Sequence, residues 1–371
     1  MEAEFTYVDS QVGLEALVAH LRTVQEVGID TEADNLHHYH TRVCLIQISA
    51  GEAEYLIDPL AGLDLRPLFE ALADKLLIMH GSDYDLRLLW ELCRFRPSEV
   101  FDTMLAAQLV GVTRFGLSSL LSELLGVDHP KDSQKSDWSR RPLPPKMVQY
   151  AARDVKHIAE LRDALLARLE AAGRVEWHRQ KCAWQIEVAT TGFPGTDENA
   201  WRIGPSRWFS PRALAALYEL WHWRDGEARR LDRPPFKVMS NEYLAQLSEA
   251  VDAGRWRDAY EALPKGLRRG SARGLAEALE RGESRDPKTL PRRPENGERR
   301  QPLSALELSR QDKIRSHRDR RSHELHIDPT LIASRSQIAQ LARQPDAAEQ
   351  VLLPWQADLL RPALEACMAS W

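Results

Sequence analysis

Hydrophobic positions change period along the chain. Four short apolar runs stand out in the first half: "VGIDTE" from Val27, "RVCLIQIS" from Arg42, "AEYLIDP" from Ala53 and "KLLIMHGS" from Lys75. Their length and their turn-rich borders predict strands. Between and after them, "LRPLFEALAD", "DYDLRLLWELC", "VFDTMLAAQLVG" and "LSSLLSELLGV" carry apolar residues three and four apart and predict helices. One long helix is predicted over 144–173, with Pro144 and Pro145 at its start, where a missing amide donor costs little. Strands interleaved with helices predict an α/β domain with a mixed sheet.

After Gly192 the strand pattern stops. "TGFPGTDENAWRIGPS" is a turn-rich linker. Helical periods follow in "PRALAALYELWHWRDGEARRLD", "SNEYLAQLSEA" and "GSARGLAEALERG". A second linker, "ESRDPKTLPRRPENGERRQP", is too polar to bury, and a last helical stretch runs to the C-terminus. The expected architecture is multidomain, α/β followed by all-α, with domains at 1–192, 206–283 and 300–371. The two helical segments echo each other weakly: an Arg-bearing helix, then a proline ("RPPFKVMS", "IDPTLIAS"), then a short helix.

Composition narrows the function classes. With 371 residues, 43% hydrophobic and 28% charged, the chain is a soluble globular type with material for two or three cores. No window reaches the roughly 20 apolar residues of a membrane helix, and the acidic, polar start resembles neither a signal nor a transit peptide. Cys44, Cys93, Cys182 and Cys367 are scattered, so reduced thiols in a cytoplasm are expected rather than a disulfide framework or a zinc knuckle. The net charge of -5 argues mildly against a nucleic-acid partner. The stretch from 285 to 323 is locally basic, however, and a local patch can hold phosphates. There is no G-x-S-x-G turn and no phosphate-binding G-x-x-x-x-G-K-[ST] loop, which excludes serine-hydrolase and ATPase readings.

Acidic residues carry the candidate chemistry. Asp30 and Glu32 are two apart on a predicted strand and so share a face. Asp83 and Asp85 follow another apolar strand, and Tyr150 and Asp154 are four apart on one helix face. Side-by-side carboxylates repel. A hard divalent cation, which takes oxygen ligands, relieves that repulsion. A two-metal site can stabilise both the attacking and the leaving oxygen of a phosphoryl displacement. For any one residue a plain reading competes: Asp30, for example, could cap a turn.

At "DTE", "HGSDYDL" and "YAARD" the chain resembles the DEDD exonucleases, and the tyrosine before the last aspartate marks the DEDDy branch. "FDTMLAAQLVG" and "SDWSRRPLPPKMVQYAARDV" tighten the likeness to ribonuclease D and its exosome-associated relatives. "ALAALYELWHWRDGEARRLDRPPFKVMSNEYLAQLS" is similar to the HRDC module. The resemblance implies a ribonuclease H-like exonuclease domain at 1–192, an HRDC domain at 206–283 and a more divergent HRDC-like domain at 300–371. It implies a metal-dependent 3′–5′ exoribonuclease that releases nucleoside 5′-monophosphates from the 3′ ends of RNA, with tRNA precursors as the expected substrate. It implies two divalent ions, Mg²⁺ or Mn²⁺, held by Asp30, Glu32, Asp85 and Asp154, with Tyr150 orienting the attacking water. Asp85, directly before Leu86, fits the family pattern better than Asp83. A DNA 3′–5′ exonuclease uses the same catalytic chemistry and is the first alternative. A non-catalytic nucleic-acid-binding scaffold is the second.

Other residues carry weaker expectations. His37, His38 and His40 with Cys44 match no standard zinc spacing, and a polar loop is the better reading. His80 ends a strand beside the acidic residues, as either an RNA contact or a packed histidine. Trp221 is expected in a helical core. Lys237, Arg268, Arg269, Arg273, Arg315 and Arg318 are candidates for RNA phosphates against the alternative of a solvated helix surface. Nothing resembles a coiled-coil seam, so a monomer without membrane attachment is expected.

Overall fold

Alternating strands and helices build one mixed sheet. The computed structural model describes residues 5–130, 133–195, 197–291 and 302–369, with the side chains of 268–273 outside the description. Its strands are β1 (Phe5–Val8), β2 (Glu26–Ala33), β3 (Val43–Ala50), β4 (Ala53–Ile57), β5 (Leu76–Met79) and β6 (Glu99–Asp102). They lie in the order β1-β4-β3-β2-β5-β6. β3 runs antiparallel to both β2 and β4, while the β1–β4, β2–β5 and β5–β6 pairs are parallel. β3 is buried along its whole length, which accounts for its continuous apolar run. A Cβ on Gly28 would meet Ser49 Oγ at 2.2 Å and Ile158 Cγ2 at 2.4 Å, so glycine lets β2 approach both neighbours closely.

The elements differ from the sequence expectation in several places. β1 and the helix Gln11–Leu21 lie in the polar N-terminal stretch, where no element was expected. The predicted helix "VFDTMLAAQLVG" is instead β6 followed by the helix Thr103–Leu109. Asp102 makes the break: its backbone is extended, and its carboxylate accepts from the amides of Met104 and Leu105 at 2.9 and 3.2 Å. The long helix over 144–173 is two helices, Pro145–Lys156 and Ile158–Ala171, separated at His157. Their apolar faces serve different clusters: Met147, Tyr150 and Ala151 pack with Leu45 and Leu56, whereas Leu161, Leu165 and Leu169 join Phe101 and Leu120. A helix at Val175–Ala189 fills a stretch that carried no assignment.

The chain divides into two compact units. The first comprises Met1–Ala33, Val43–Phe193 and Gln301–Trp371. Here the C-terminal helices Ala305–Leu325, Arg335–Arg343 and Pro354–Met368 share a hydrophobic cluster with Phe101, Leu161 and Leu165. The Arg174 guanidinium donates to the Leu109 carbonyl at 2.6 Å and the Leu325 carbonyl at 2.9 Å. Trp177 stacks on Trp355 with ring centroids 4.6 Å apart.

The second unit comprises Asp34–Arg42 and Pro194–Arg300. Its helices Pro211–Arg230, Asn241–Asp252 and Lys265–Ser284 pack around Leu217, Leu220, Leu244 and Leu279. Trp221 is half-buried against this core. The segment Asp34–Arg42 is tied to the helical part by side chains: Tyr39 donates its hydroxyl to Asp225 at 2.8 Å, and Asp232 accepts from the Tyr39 amide at 3.1 Å and pairs with His38 at 2.7 Å.

The sequence echo between the helical segments has a structural counterpart. In one, buried Arg224 donates to the Met239 carbonyl at 3.0 Å; in the other, buried Arg318 donates to the Ala333 carbonyl at 2.8 Å. Each carbonyl closes a short proline-started helix, Pro235–Val238 or Pro329–Ile332. A serine-capped helix then follows, with Ser240 or Ser334 as its cap.

Candidate active site

The strand period puts Asp30 and Glu32 on one face of β2, and the helical period puts Tyr150 and Asp154 on one face of Pro145–Lys156. The fold brings those two faces together. Ligand oxygens of Asp30, Glu32 and Asp154 all lie within 4.8 Å of one another. Asp85 enters from the first turn of the helix Asp83–Cys93, buried, and accepts a hydrogen bond from the hydroxyl of Thr31, the residue between Asp30 and Glu32. Asp83, two residues earlier, is exposed and pairs with Arg87 at 3.0 Å.

The turn carrying Asp85 into place is held by Asp102. Its fully buried carboxylate accepts from the Gly81 amide at 3.0 Å, the Ser82 amide at 2.7 Å and the Ser82 hydroxyl at 2.9 Å. Gln185, on Val175–Ala189, donates to the same carboxylate at 3.1 Å. The helix bearing Tyr150 and Asp154 is anchored through the "DWSRRPL" segment that precedes it. Arg141 forks onto Asp58 at 2.5 and 2.7 Å and donates to the Cys44 carbonyl at 2.6 Å, while Trp138 is buried beside Tyr150.

The electrostatics of the cluster suit a cation site. Burial, then the charges of Asp85 and Asp154, hold the Asp30 carboxyl well above the ordinary range. Burial followed by Asp30, Asp154 and Asp85 pushes Glu32 up to about 10. Burial raises Asp85 to about 6 against the hydrogen bonds that Thr31 and the backbone give it. Burial also raises Asp154, with His129 and the Tyr150 hydroxyl pulling the other way. After burial, neighbouring carboxylates penalise ionisation of Asp30 and Glu32, and bound divalent cations offset that repulsion. An all-oxygen donor set of this kind fits hard divalent cations.

Known proteins are similar to this chain along most of its length. Residues 5–170 match a 3′–5′ exonuclease family, and residues 213–253 match the HRDC domain. A ribonuclease D of Granulibacter bethesdensis is 31% identical over 372 residues, covering 95% of this chain and 90% of its own. A ribonuclease D of Gluconacetobacter diazotrophicus is 30% identical, covering 92% and 87%. The chain belongs to the ribonuclease D family. The structure of Escherichia coli RNase D, described as an exoribonuclease involved in structured RNA processing, aligns with a TM-score of 0.70 at 25% identity over 99% of both chains. As a member of the ribonuclease D family, the protein is a 3′–5′ exoribonuclease whose exonuclease domain works with metal.

Sequence reasoning missed His129, which the fold places against the carboxylate cluster. It is buried, its Nε2 lies 2.8 Å from Asp154 Oδ1, and its ring lies 5.9 Å from that of Tyr150. In sequence it is a lone histidine before a proline, and no local spacing links it to Asp154.

The expected RNA contacts divide. Arg318 is a correction: its guanidinium is buried on the Ala333 carbonyl and Asp319, so it holds its own domain together and presents no surface to phosphates. Arg315 is exposed and pairs with Asp312 at 2.8 Å. Lys237 is exposed, 3.2 Å from His37 Nδ1. His80 bonds the Thr103 hydroxyl at 2.9 Å. The side chains of Arg268, Arg269 and Arg273 lie outside the described residues. Among the described residues, Asp30, Glu32 and Asp154 are grouped closely enough to hold a metal ion, and the histidine-rich segment is not.

Proposed function

We propose that this ribonuclease D family member trims the 3′ ends of structured RNA, with tRNA precursors as substrate, and releases one nucleoside 5′-monophosphate per cut. The observation that carries the reading is the meeting of Asp30, Glu32 and Asp154 oxygens within 4.8 Å, with Asp85 joined through Thr31. These four carboxylates would hold two divalent cations, Mg²⁺ or Mn²⁺. When bound, such cations polarise the scissile phosphate and lower the pKa of a coordinated water.

The chain's own groups then have distinct tasks. Tyr150 stays a neutral phenol at working pH, because burial and then the charges of Asp154, Glu32 and Asp30 all oppose its ionisation. Its hydroxyl therefore orients the attacking water rather than acting as the base. His129 and Tyr150 hold Asp154 from one side, and Thr31 holds Asp85 from the other. Catalysis of this kind is mostly positioning and charge stabilisation, so the shells that fix the carboxylates matter as much as the carboxylates.

We read the chain as a cytoplasmic monomer. Among the described residues no helix is long and apolar enough to cross a membrane, and no disulfide joins any of the four cysteines. The test is digestion of a 3′-extended tRNA, with Mg²⁺ and Mn²⁺ in turn, by wild-type protein and by Asp30→Ala. Stepwise shortening to the mature end, 5′-monophosphate products and an inert Asp30→Ala are expected. Internal cuts, 3′-phosphate products or an active Asp30→Ala would overturn the reading.

A further inference from the structure

β3 reads "VCLIQISA", and Gln47 interrupts its apolar run. The side chain is completely buried, and neither its Nε2 nor its Oε1 has a hydrogen-bond partner among the described residues. An unpaired amide in a strand core is costly, and such groups call for an explanation. Leucine or valine would fill the position without that cost, so stability does not account for a glutamine here.

The sheet register supplies an explanation. Gln47 stands directly opposite Asp30 in the antiparallel β2–β3 pair, so both side chains leave the same face with Cβ atoms about 4.5–5.5 Å apart. That face lies under the helix Pro145–Lys156. Leu45 and Leu56, which flank Gln47 on this face, pack with Met147, Tyr150 and Ala151, while Ile46 and Ile48 point into the opposite core. The orphaned amide is therefore beside Asp30 and beneath the helix that carries Tyr150 and Asp154.

We propose that Gln47 is a positioning residue for Asp30: its NH₂ group donates to the ionised Asp30 carboxylate, directly or through one enclosed water, and fixes the orientation in which that carboxylate meets divalent cations. The inference rests on the reading of Asp30 as a metal-holding group. An uncharged donor suits the task, because a lysine or arginine here would pair with Asp30 and compete with the cation.

Gln47→Met, which removes the amide at similar volume, tests this in the full-length protein. The expected result is a Tm equal to or above wild type, Mn²⁺ binding weakened by about tenfold in calorimetry, and kcat lowered about 10–100-fold with the KM for RNA little changed. Unchanged Mn²⁺ affinity and kcat would overturn the proposal, whether or not Tm falls. Gln47→Leu is the second variant, and failure of both to fold would make the amide a structural group and also overturn it. Asp30→Asn is measured in parallel: full activity there would refute the site reading itself, an outcome distinct from any result at Gln47.

Discussion

His129 Nε2 lies 2.8 Å from Asp154 Oδ1, and both side chains are buried. The contact fixes one carboxylate of the cluster from outside it. Replacing His129 with alanine leaves Asp154 without its main counterweight to burial. The expected effect is a loss of about 10–100-fold in metal affinity or activity, as for other residues that orient metal ligands. A titration of activity against Mg²⁺ reads it: the half-saturating concentration rises in His129→Ala. An unchanged curve would mean that the contact has no part in positioning.

Metal removal should show in stability. Asp30, Glu32 and Asp154 are gathered at a cost that a cation offsets, so Mg²⁺ or Mn²⁺ added to stripped protein is expected to raise Tm. A cation at 100 times its Kd contributes about 2.7 kcal/mol. Asp30→Asn removes one of the crowded acids. It is expected to melt higher than stripped wild type and to show no rise with metal. Thermal scans with and without each ion check both points.

Asp58 provides a pH test away from the carboxylate cluster. Burial alone would raise its carboxyl, but Arg141, Tyr7 and the Leu60 amide together bring it below the ordinary value. A depressed carboxyl contributes stability that is present above its unfolded pKa, about 3.9, and lost as pH falls through the lower folded value. Arg141→Ala leaves the buried Asp58 carboxylate without its main partner and is expected to cost about 1–3 kcal/mol near neutrality. The gap between wild type and variant should narrow below pH of about 4. Urea midpoints measured across that range would reveal a constant gap if the pair does not matter.

Truncation before the last helical segment is expected to damage the exonuclease unit itself. Leu161, Leu165 and Leu169 are fully buried in a cluster that also contains Leu341, Trp355 and Leu364. Uncovering each such leucine costs about 1.5–3 kcal/mol. A chain ending at Arg300 should aggregate or melt far below wild type. A monodisperse, active 1–300 protein in size-exclusion chromatography would contradict this.

Local spacing was enough for part of the site and much of the fold. Asp30 and Glu32 two apart on a strand, and Tyr150 and Asp154 four apart on a helix, share faces because the backbone period requires it. The same periods marked β2 to β5 and most of the helices. Spacing could not choose between Asp83 and Asp85, both in the first turn of one helix; Thr31, brought in from β2, holds Asp85, while Arg87 of the same helix pairs with Asp83. Nor could it find His129, split β6 from the helix that Asp102 caps, or show that Arg318 is buried while Arg315 beside it is exposed. The sequence by itself determined which side chains share a face of one element. Which faces meet, and which charged groups are buried and must therefore find partners, only the tertiary structure decided, because those partners come from segments far apart along the chain.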